Sequence, residues 1–177
     1  MRILSFDIGV KNLAYCYFEY DKILDLITIH SWQVLDISCA IKSDQATILL
    51  NKLNHHFTDI DLDYVVIENQ PALKNPVMKS IQMIIYTFFV MDGVMSDSSK
   101  IEKIHMVNAR NKLKVYKGPK IECNKKGKYA QNKYLSVEYT KEMIKNEEEC
   151  FQGLFEESKK KDDLADAYLQ GIYWIEK

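Results

Sequence analysis

Four acidic residues occupy positions at which the surrounding sequence suggests a chemical role. Asp7 ends the first apolar stretch, and Glu68 ends a second one. Asp163 and Asp166 open the last predicted helix, where their spacing places them on one face. An ionised carboxylate in apolar surroundings needs partners, and carboxylate oxygens are ligands for Mg²⁺. We therefore expect a shared metal site, in which two ions about 3.5–4 Å apart activate water and stabilise the leaving oxygen of a phosphodiester.

The two acids of the last helix also have a structural interpretation. Acidic residues near a helix start are favoured by capping and by the helix dipole, and the spacing from Asp163 to Asp166 resembles a capping box. On a helical wheel the pair lies opposite the apolar stripe, as solvated residues would. Taken alone, this pair favours helix capping over metal binding. The prediction of a metal site therefore rests mainly on Asp7 and Glu68 at the strand ends.

The segment 108–133 is strongly basic. It contains nine cationic residues and one acid, Glu122, so its net charge is +8 and the rest of the chain carries −9. Such an imbalance within one domain is typical of a surface that binds polyanions, although a solvated lysine loop is the alternative. Because lysine lacks the guanidinium fork, we expect contacts with phosphates rather than base reading. Tyr116 and Tyr129 lie in the segment as stacking or packing surfaces.

The elements that must position these residues follow from the pattern of apolar residues. It predicts strands at 2–8, 13–20, 23–35, 64–67 and 101–107, and helices at 43–57, 76–95, 134–150 and 162–176. The first three strands are predicted to form an antiparallel meander, with a tight connection at 20–22. We expect a loop at 108–133 and a linker at 151–161. Together these elements predict one mixed α/β domain over residues 1–177.

The predicted helix 76–95 is apolar on nearly every side. One face, which includes Ile81 and Ile85, would pack in the core, while the opposite face carries Met83 and Phe89. A helix with two apolar faces is buried on both sides. The second face is therefore either a dimer contact or part of a monomer's centre, and the helix alone does not distinguish the two.

Composition excludes several classes of protein. The chain of 177 residues is 47% apolar and 28% charged, which is typical of one globular domain that needs no disulfides. The four cysteines lack metal-ligand or disulfide spacing, which favours a reducing, intracellular compartment. No apolar run approaches the roughly 18 to 20 residues that cross a bilayer, so we expect no membrane partner. We also expect no targeting segment before the first strand.

Four motifs stand out along the chain: ILSFDIGVKNLAYC at 3–16, VIENQ at 66–70, NARNKLK at 108–114 and KDDLADA at 161–167. They resemble the motifs of the RuvC-like Holliday junction resolvases, and of the poxvirus-type resolvases in particular. The resemblance implies a ribonuclease H-like fold with a mixed five-stranded sheet that is flanked by helices. The first strands of this sheet form an antiparallel meander, and the later strands are parallel. It also implies a homodimer, here through the helix 77–95, and cleavage of four-way DNA junctions with Mg²⁺ or, in its place, Mn²⁺.

The same resemblance assigns roles to single residues. The catalytic carboxylates that bind metal would be Asp7, Glu68, Asp163 and Asp166. Asp7 would bridge two ions, and a shift of one residue would exchange Asp163 for Asp162, although the D-x-x-D-A pattern favours Asp163. The functional lysine after the fifth strand would be Lys112 or Lys114, which the alignment does not separate. That lysine would neutralise charge developing on the phosphate or the leaving oxygen.

The expected function is that of a structure-selective endonuclease. It would resolve four-way and other branched DNA by paired symmetric nicks, in DNA recombination or in the resolution of viral concatemers. The residues expected to contact DNA are Lys11, Asn12, Lys74, Lys79, Arg110, Lys117, Lys120, Lys125, Lys126 and Lys128. If the protein is viral, we expect it in the host cytoplasm at sites of viral DNA replication. Fungal mitochondrial resolvases share the first motif but would be expected to bring a transit peptide.

Two alternative functions remain. A non-catalytic nucleic-acid-binding module of the same fold would have decayed acids, whereas all four acids are present. Asp7-Ile8-Gly9 also resembles the phosphate loop of actin-like sugar kinases. Those enzymes need a second nucleotide-binding half and glycine-rich loops, which 177 residues with 6 glycines do not supply.

Overall fold

The computed structural model describes residues 1–97 and 99–177 of the chain. Its strands are β1 (Arg2–Asp7), β2 (Leu13–Asp21), β3 (Leu26–Leu35), β4 (Tyr64–Glu68) and β5 (Lys103–Val107). Its α-helices are α1 (Gln45–Phe57), α2 (Pro76–Phe89), α3 (Lys128–Met143), α4 (Glu149–Glu157) and α5 (Lys161–Ile175). Short 3₁₀-helices cover Lys42–Asp44 and Ala109–Val115, and a π-helical turn at Val90–Val94 extends α2.

The five strands form one sheet in the order β3-β2-β1-β4-β5. β2 is antiparallel to both β1 and β3, whereas β1, β4 and β5 are parallel. The predicted mixed sheet, a meander followed by parallel strands and flanked by helices, is therefore confirmed. Because β1 and β4 are parallel neighbours, their last residues, Asp7 and Glu68, meet at the same end of the sheet.

Each face of the sheet carries its own hydrophobic core. On one face α5 buries Leu164 and Tyr168 against Phe18 and Trp32. On the other face α1 and α2 pack their apolar side chains around Phe6. Burial of apolar surface on both sides removes the sheet from water and fixes the helices against it.

α5 approaches the sheet closely at Gly171. A Cβ atom at this position would lie 2.6 Å from the ring of Phe18, so a larger residue would have to displace that ring. The N-terminal part of α5 is held by a buried hydrogen bond of 3.0 Å, which Trp32 Nε1 donates to the carbonyl oxygen of Leu164. The helix that carries two of the predicted acids is thus anchored along its length.

The basic segment does not form the loop that was predicted for 108–133. It begins with the 3₁₀-helix Ala109–Val115 and ends inside α3, which starts at Lys128 instead of residue 134. Polar residues dominate α3, and its fully buried positions are Ser136 and Thr140. A helix without an apolar stripe gives little periodic signal, which is why the prediction failed here.

The predicted linker 151–161 is also wrong, since α4 covers most of it. The helix contributes Phe155, which is fully buried and stacks on Trp32 with ring centroids 5.1 Å apart. Phe151 and Leu154, which with Phe155 stand at helical spacing, also pack against this core, so the sequence does carry the apolar pattern of a short helix that the prediction missed.

The turn between β2 and β3 lies later in the chain than predicted. β2 continues through the expected connection at 20–22 as far as Asp21, and β3 begins only at Leu26. Asp21 Oδ1 accepts hydrogen bonds from the backbone nitrogens of Ile23 (2.8 Å) and Leu24 (3.1 Å). These bonds shape the turn, so the two apolar side chains are exposed instead of lying in a strand.

α2 and its π-helical turn occupy Pro76–Val94, close to the predicted helix 76–95. By length and composition this segment would suffice to cross a membrane, which contradicts the expectation that no apolar run approaches that length. Ile81 and Ile85 on its inner face are buried against the sheet, while Met83 and Met91 on the outside are 40% and 63% exposed. A helix that packs in a core passes the same test, so this composition alone does not indicate a membrane.

Candidate active site

The four predicted acids line one cavity of about 380 Å³ at the carboxyl ends of β1 and β4. The strands supply Asp7 and Glu68, and the start of α5 supplies Asp163 and Asp166. The remaining charged and polar lining residues are Arg110, Lys112, Tyr129, Asn132 and Lys133. The fold therefore gathers acids from both ends of the chain and places cations beside them.

Asp7 is the most deeply buried of the four acids, with 9% of its surface exposed. Burial, reinforced by the nearby charge of Glu68, raises the pKa of Asp7 well above its ordinary value. The chain turns sharply after this residue, because a Cβ atom at Gly9 would lie 2.4 Å from the carbonyl oxygen of Asn12. A glycine at this position therefore allows the turn to close behind the buried carboxyl group.

Glu68 is partly buried and is held by the loop that follows it. Gln70 Nε2 donates a hydrogen bond of 2.5 Å to Glu68 Oε2. The backbone nitrogen of Asn69 donates to the carbonyl oxygen of Val107 on β5 (2.8 Å), so the loop leaves β4 in a fixed direction. The Glu68 carboxylate is thus oriented by its neighbours in the chain before any ligand binds.

The first turn of α5 carries two aspartates with different partners. Asp163 lines the cavity, and burial together with the negative charge of Asp162 raises the pKa of Asp163 to about 6. Burial would also raise the pKa of Asp162, but its ion pair with Lys133 lowers it below the ordinary value. The N-cap of α5 is Lys160 and makes no side-chain hydrogen bond, so the capping-box interpretation of the acids is wrong.

Lys112 supplies positive charge inside the cavity. Its ammonium group is ion-paired with Asp166 and lies 3.9 Å from Asp7 Oδ1. Burial would lower the pKa of Lys112, but the two carboxylates outweigh burial and raise it. Burial likewise raises the pKa of Asp166, against the opposing charge of Lys112. Lys114, the other predicted lysine, is exposed and does not line the cavity.

The donor set of the cavity has the chemistry that a divalent cation requires. Carboxylate oxygens from β1, β4 and α5 face one space, and hard cations such as Mg²⁺ take oxygen ligands. The ammonium group of Lys112 is already held there by two of the acids. Within residues 1–97 and 99–177, no three acidic, histidine or cysteine side chains stand close enough together to hold an ion in their present positions.

Most of the residues predicted to contact DNA lie on the surface. The exposed ones are Lys11, Lys74, Arg110, Lys117, Lys120, Lys125, Lys126 and Lys128. Asn12 and Lys79 are partly buried, and Lys79 Nζ bonds Gln82 Oε1 at 3.2 Å. Lys117 Nζ is ion-paired with Glu176 at 2.8 Å. Arg110 lines the cavity itself, so the basic surface reaches the acids.

The two tyrosines of the basic segment have different surroundings. Tyr116 stacks on Tyr139 with ring centroids 4.2 Å apart, which is a packing contact. Tyr129 is 75% exposed where it lines the cavity, with Lys133 Nζ 5.2 Å from the centre of its ring. Tyr129 is therefore the one of the two with a ring surface available for stacking.

Some residues that support the site were not predicted from the sequence. Gln70 and Gln82 position the loop after Glu68, and Ser136 on α3 hydrogen-bonds Asp166. The serine gives no signal in a polar helix. Gln82 did give a signal in the sequence, because a carboxamide on the buried face of an apolar helix needs hydrogen-bond partners.

Comparison with known proteins gives one family and several relatives. The sequence profile of the family described as "Poxvirus A22 protein" matches residues 1–177. An uncharacterized protein of Acanthamoeba polyphaga mimivirus is 41% identical over 142 residues, which cover 72% of this chain and 32% of that protein. The chain thus spans about a third of the length of this curated relative.

Solved structures of resolvases share the fold, and two of them illustrate the range. The fowlpox virus resolvase in complex with its substrate Holliday junction DNA is 22% identical, with a TM-score of 0.69 over 99% of this chain and 97% of that chain. Thermus thermophilus RuvC is 10% identical, with a TM-score of 0.60 over 98% and 92% of the two chains. The predicted RuvC-like, ribonuclease H-like fold is therefore confirmed.

Proposed function

The chain belongs to the Poxvirus A22 protein family, and on that premise we propose that it is a metal-dependent endonuclease that resolves four-way and other branched DNA junctions. The observation that carries this proposal is the cavity that four carboxylates line, in which Lys112 pairs with two of them and Arg110 lies at the basic surface. Acids that hold a cation beside a phosphate-binding surface are what phosphodiester hydrolysis requires. One domain over residues 1–177 would contain the whole site.

The residues that would hold metal are Asp7, Glu68, Asp163 and Asp166. When bound, one or two Mg²⁺ ions, or Mn²⁺ in their place, supply activation of a water and stabilisation of the leaving oxygen. Asp7 contacts both Glu68 and Lys112, which supports a central place for it in the proposed ligand set. With a divalent cation held by the acids, Lys112 would no longer be needed to balance their charge.

Lys112 is the functional lysine of this proposal. It lies among the acids, whereas Lys114 is exposed outside the cavity. Once a cation satisfies the acids, the Lys112 ammonium can bind a phosphate oxygen and balance the charge that develops on it. The lysine would therefore serve the acids in the free protein and the substrate in the complex.

The DNA surface would consist of the exposed basic residues predicted from the sequence, with Arg110 closest to the acids. Lysine ammonium groups act as point charges and favour phosphate contacts, which suits recognition of junction shape over base sequence. Tyr129, exposed at the cavity, adds a ring on which an unstacked base at a branch point can lie.

A homodimer through the predicted helix 77–95 would supply paired symmetric nicks. Its outward side chains include Met83 and Met91, which with Leu50 of α1 line an apolar groove of about 560 Å³. Exposed apolar patches of this kind mark interaction sites. Two-fold symmetry would set two identical sites against strands of like sequence, so that both are cut.

The biological setting of the proposal is a virus. The chain's family is a poxvirus one, and the mimivirus relative is viral as well. A junction-resolving nuclease in such a setting would act in recombination and in the resolution of replicated concatemers, in the host cytoplasm where viral DNA is copied.

The proposal is tested with a synthetic four-way junction and a linear duplex of the same sequence. We expect metal-dependent nicks at symmetric positions in the junction and no cutting of the duplex, with Mg²⁺ compared against chelator. Asp7→Asn should abolish cutting while the junction still binds, and Asp59→Asn, an exposed acid outside the cavity, serves as the matched control. If wild-type protein leaves every branched substrate intact in Mg²⁺ and Mn²⁺, the proposed activity is refuted.

A further inference from the structure

Gln82 is a completely buried carboxamide in the otherwise apolar inner face of α2. Its Oε1 accepts hydrogen bonds from the backbone nitrogen of Gln70 (2.8 Å) and from Lys79 Nζ (3.2 Å). Its Nε2 lies 2.9 Å from the sulfur of Met106, which is a weak acceptor. An apolar side chain would be easier to bury at this position, so the carboxamide is present for the bonds it makes.

Gln70 continues this connection to the active site. Its backbone nitrogen is bound to Gln82, and its own Nε2 donates over 2.5 Å to Glu68 Oε2. Two successive hydrogen bonds therefore join the inner face of α2 to the carboxylate at the end of β4. Lys79 reinforces the loop, because its ammonium group also bonds Asn69 Oδ1 at 3.3 Å.

We infer that Gln82 and Gln70 are positioning residues that hold the Glu68 carboxylate in the orientation needed to bind metal. This inference rests on the proposed metal-dependent function. Neither glutamine lines the cavity, so both act through Glu68. Residues that orient a metal-binding carboxylate by hydrogen bonds typically change metal affinity by about 10- to 100-fold when removed.

Three variants separate positioning from general stability. Gln70→Ala removes the bond to Glu68 and leaves α2 untouched. Gln82→Leu removes the buried carboxamide, whereas Gln82→Glu keeps an accepting oxygen for the backbone of Gln70 and for Lys79. The control is Gln152→Leu, because the Gln152 side chain donates two hydrogen bonds to backbone oxygens, at 3.2 and 2.8 Å, and does not line the cavity.

The primary measurement is Mn²⁺ binding to the DNA-free protein, followed by electron paramagnetic resonance of the free ion. We expect about 10-fold weaker binding for Gln70→Ala and Gln82→Leu, near wild-type binding for Gln82→Glu, and no change for Gln152→Leu. Affinity for a four-way junction in chelator should be the same for all five proteins. Any cutting that the wild type performs should be restored in Gln70→Ala by raising the Mg²⁺ concentration.

The outcomes are distinct from those of the proposed function. Mn²⁺ binding by Gln70→Ala and Gln82→Leu at wild-type strength overturns the positioning role, as does equal loss in the Gln152→Leu control. A wild type that binds Mn²⁺ but cuts no junction refutes the nuclease, while the comparison of metal affinities still decides the role of the glutamines. If Gln82→Leu does not fold, Gln70→Ala decides alone, because its change lies in a loop on the surface of the fold.

Discussion

Lys112 and Asp166 form an ion pair inside the candidate active site, and the ammonium group also lies 3.9 Å from Asp7 Oδ1. A buried carboxylate without a cation is costly, and removal of one partner of a buried pair commonly costs about 3–5 kcal/mol. The free protein therefore supplies its own positive charge to a site that would bind metal when active.

We expect Lys112→Met to weaken the folded state and the activity together. Loss of the buried ammonium should lower the free energy of unfolding by about 3 kcal/mol in chelator, and by less in Mg²⁺, since a bound cation compensates the acids. Junction cutting should fall by about 100-fold, the usual effect of removing one group that stabilises developing charge. Chemical denaturation and single-turnover cleavage measure the two effects.

Lys114→Met is the matched control for this lysine, since it removes the same charge two residues away at an exposed position. It should leave unfolding unchanged and cutting within about twofold of wild type. Equal effects of the two substitutions would contradict the assignment of Lys112.

Asp7→Asn should separate catalysis from folding. Cutting should fall by about three orders of magnitude or more, while the midpoint of thermal unfolding in chelator should rise at neutral pH. The rise is expected because burial raises the pKa of Asp7, so the neutral side chain suits the site better than the charged one. Differential scanning calorimetry with and without Mg²⁺ tests this, and a destabilised variant in chelator would oppose it.

The raised pKa of Asp163 predicts a pH dependence of stability in the metal-free protein. Its pKa is about 6 in the folded state and near 4 when unfolded, so the folded state binds more protons between these values. The contribution of this group to the free energy of unfolding should therefore fall as pH rises from about 4 to 6 and remain low above that.

Asp163→Asn removes this titration. The melting temperature in chelator should rise relative to wild type at pH 7.5, by a few degrees, and much less at pH 4.5. Because Asp163 is only half buried, solvent screening limits the effect. Melting curves across pH measure the difference, and parallel curves for the two proteins would show that Asp163 does not titrate as described.

Met83→Glu should break the proposed dimer. A charged carboxylate in the apolar groove between α1 and α2 would be desolvated on association, so light scattering should report a monomer. Paired nicks in a junction should then become single nicks. Ile23→Glu is the control and should remain dimeric, because Ile23 is 94% exposed in the turn between β2 and β3. A monomeric wild type would remove the basis for symmetric cutting.

Replacing Lys125, Lys126 and Lys128 by Gln should weaken junction binding and reduce its salt dependence. Each lost phosphate contact lowers the slope of log affinity against log salt by about one unit. The control is the triple variant of the exposed residues Lys22, Lys42 and Lys103, which changes net charge equally. Fluorescence anisotropy at several salt concentrations distinguishes the two, and equal slopes would place the DNA surface elsewhere.

The strand-end acids could be predicted because strong local patterns determine them. β1 and β4 are short apolar strands with few alternatives, and each ends in an acid, so Asp7 and Glu68 stood out from sequence alone. Parallel pairing of these strands then brings the acids together without further information. The two strand-end acids therefore follow from the apolar pattern, whereas the parallel pairing of their strands was implied by the family resemblance.

The surroundings of the acids could not be predicted because they depend on long-range packing. Lys112 and Lys114 are nearly equivalent in sequence, and only the packing of their 3₁₀-helix against α5 decides which enters the cavity. The fully buried positions of α3 are polar, so its first turns, from Lys128, resemble a loop in sequence. The choice between Asp162 and Asp163 similarly depends on Lys133, a partner on another helix.

The anchoring of α5 has a consequence for the order in which the protein is made. All five strands precede α5, which carries Asp163 and Asp166, so they leave the ribosome before it. The helix is then anchored by the contacts of Leu164 with Trp32 and of Gly171 with Phe18. Until then the growing chain holds Asp7 and Glu68 without half of their partners. The cutting site of the proposed nuclease is therefore complete only after α5 has emerged and packed against the sheet.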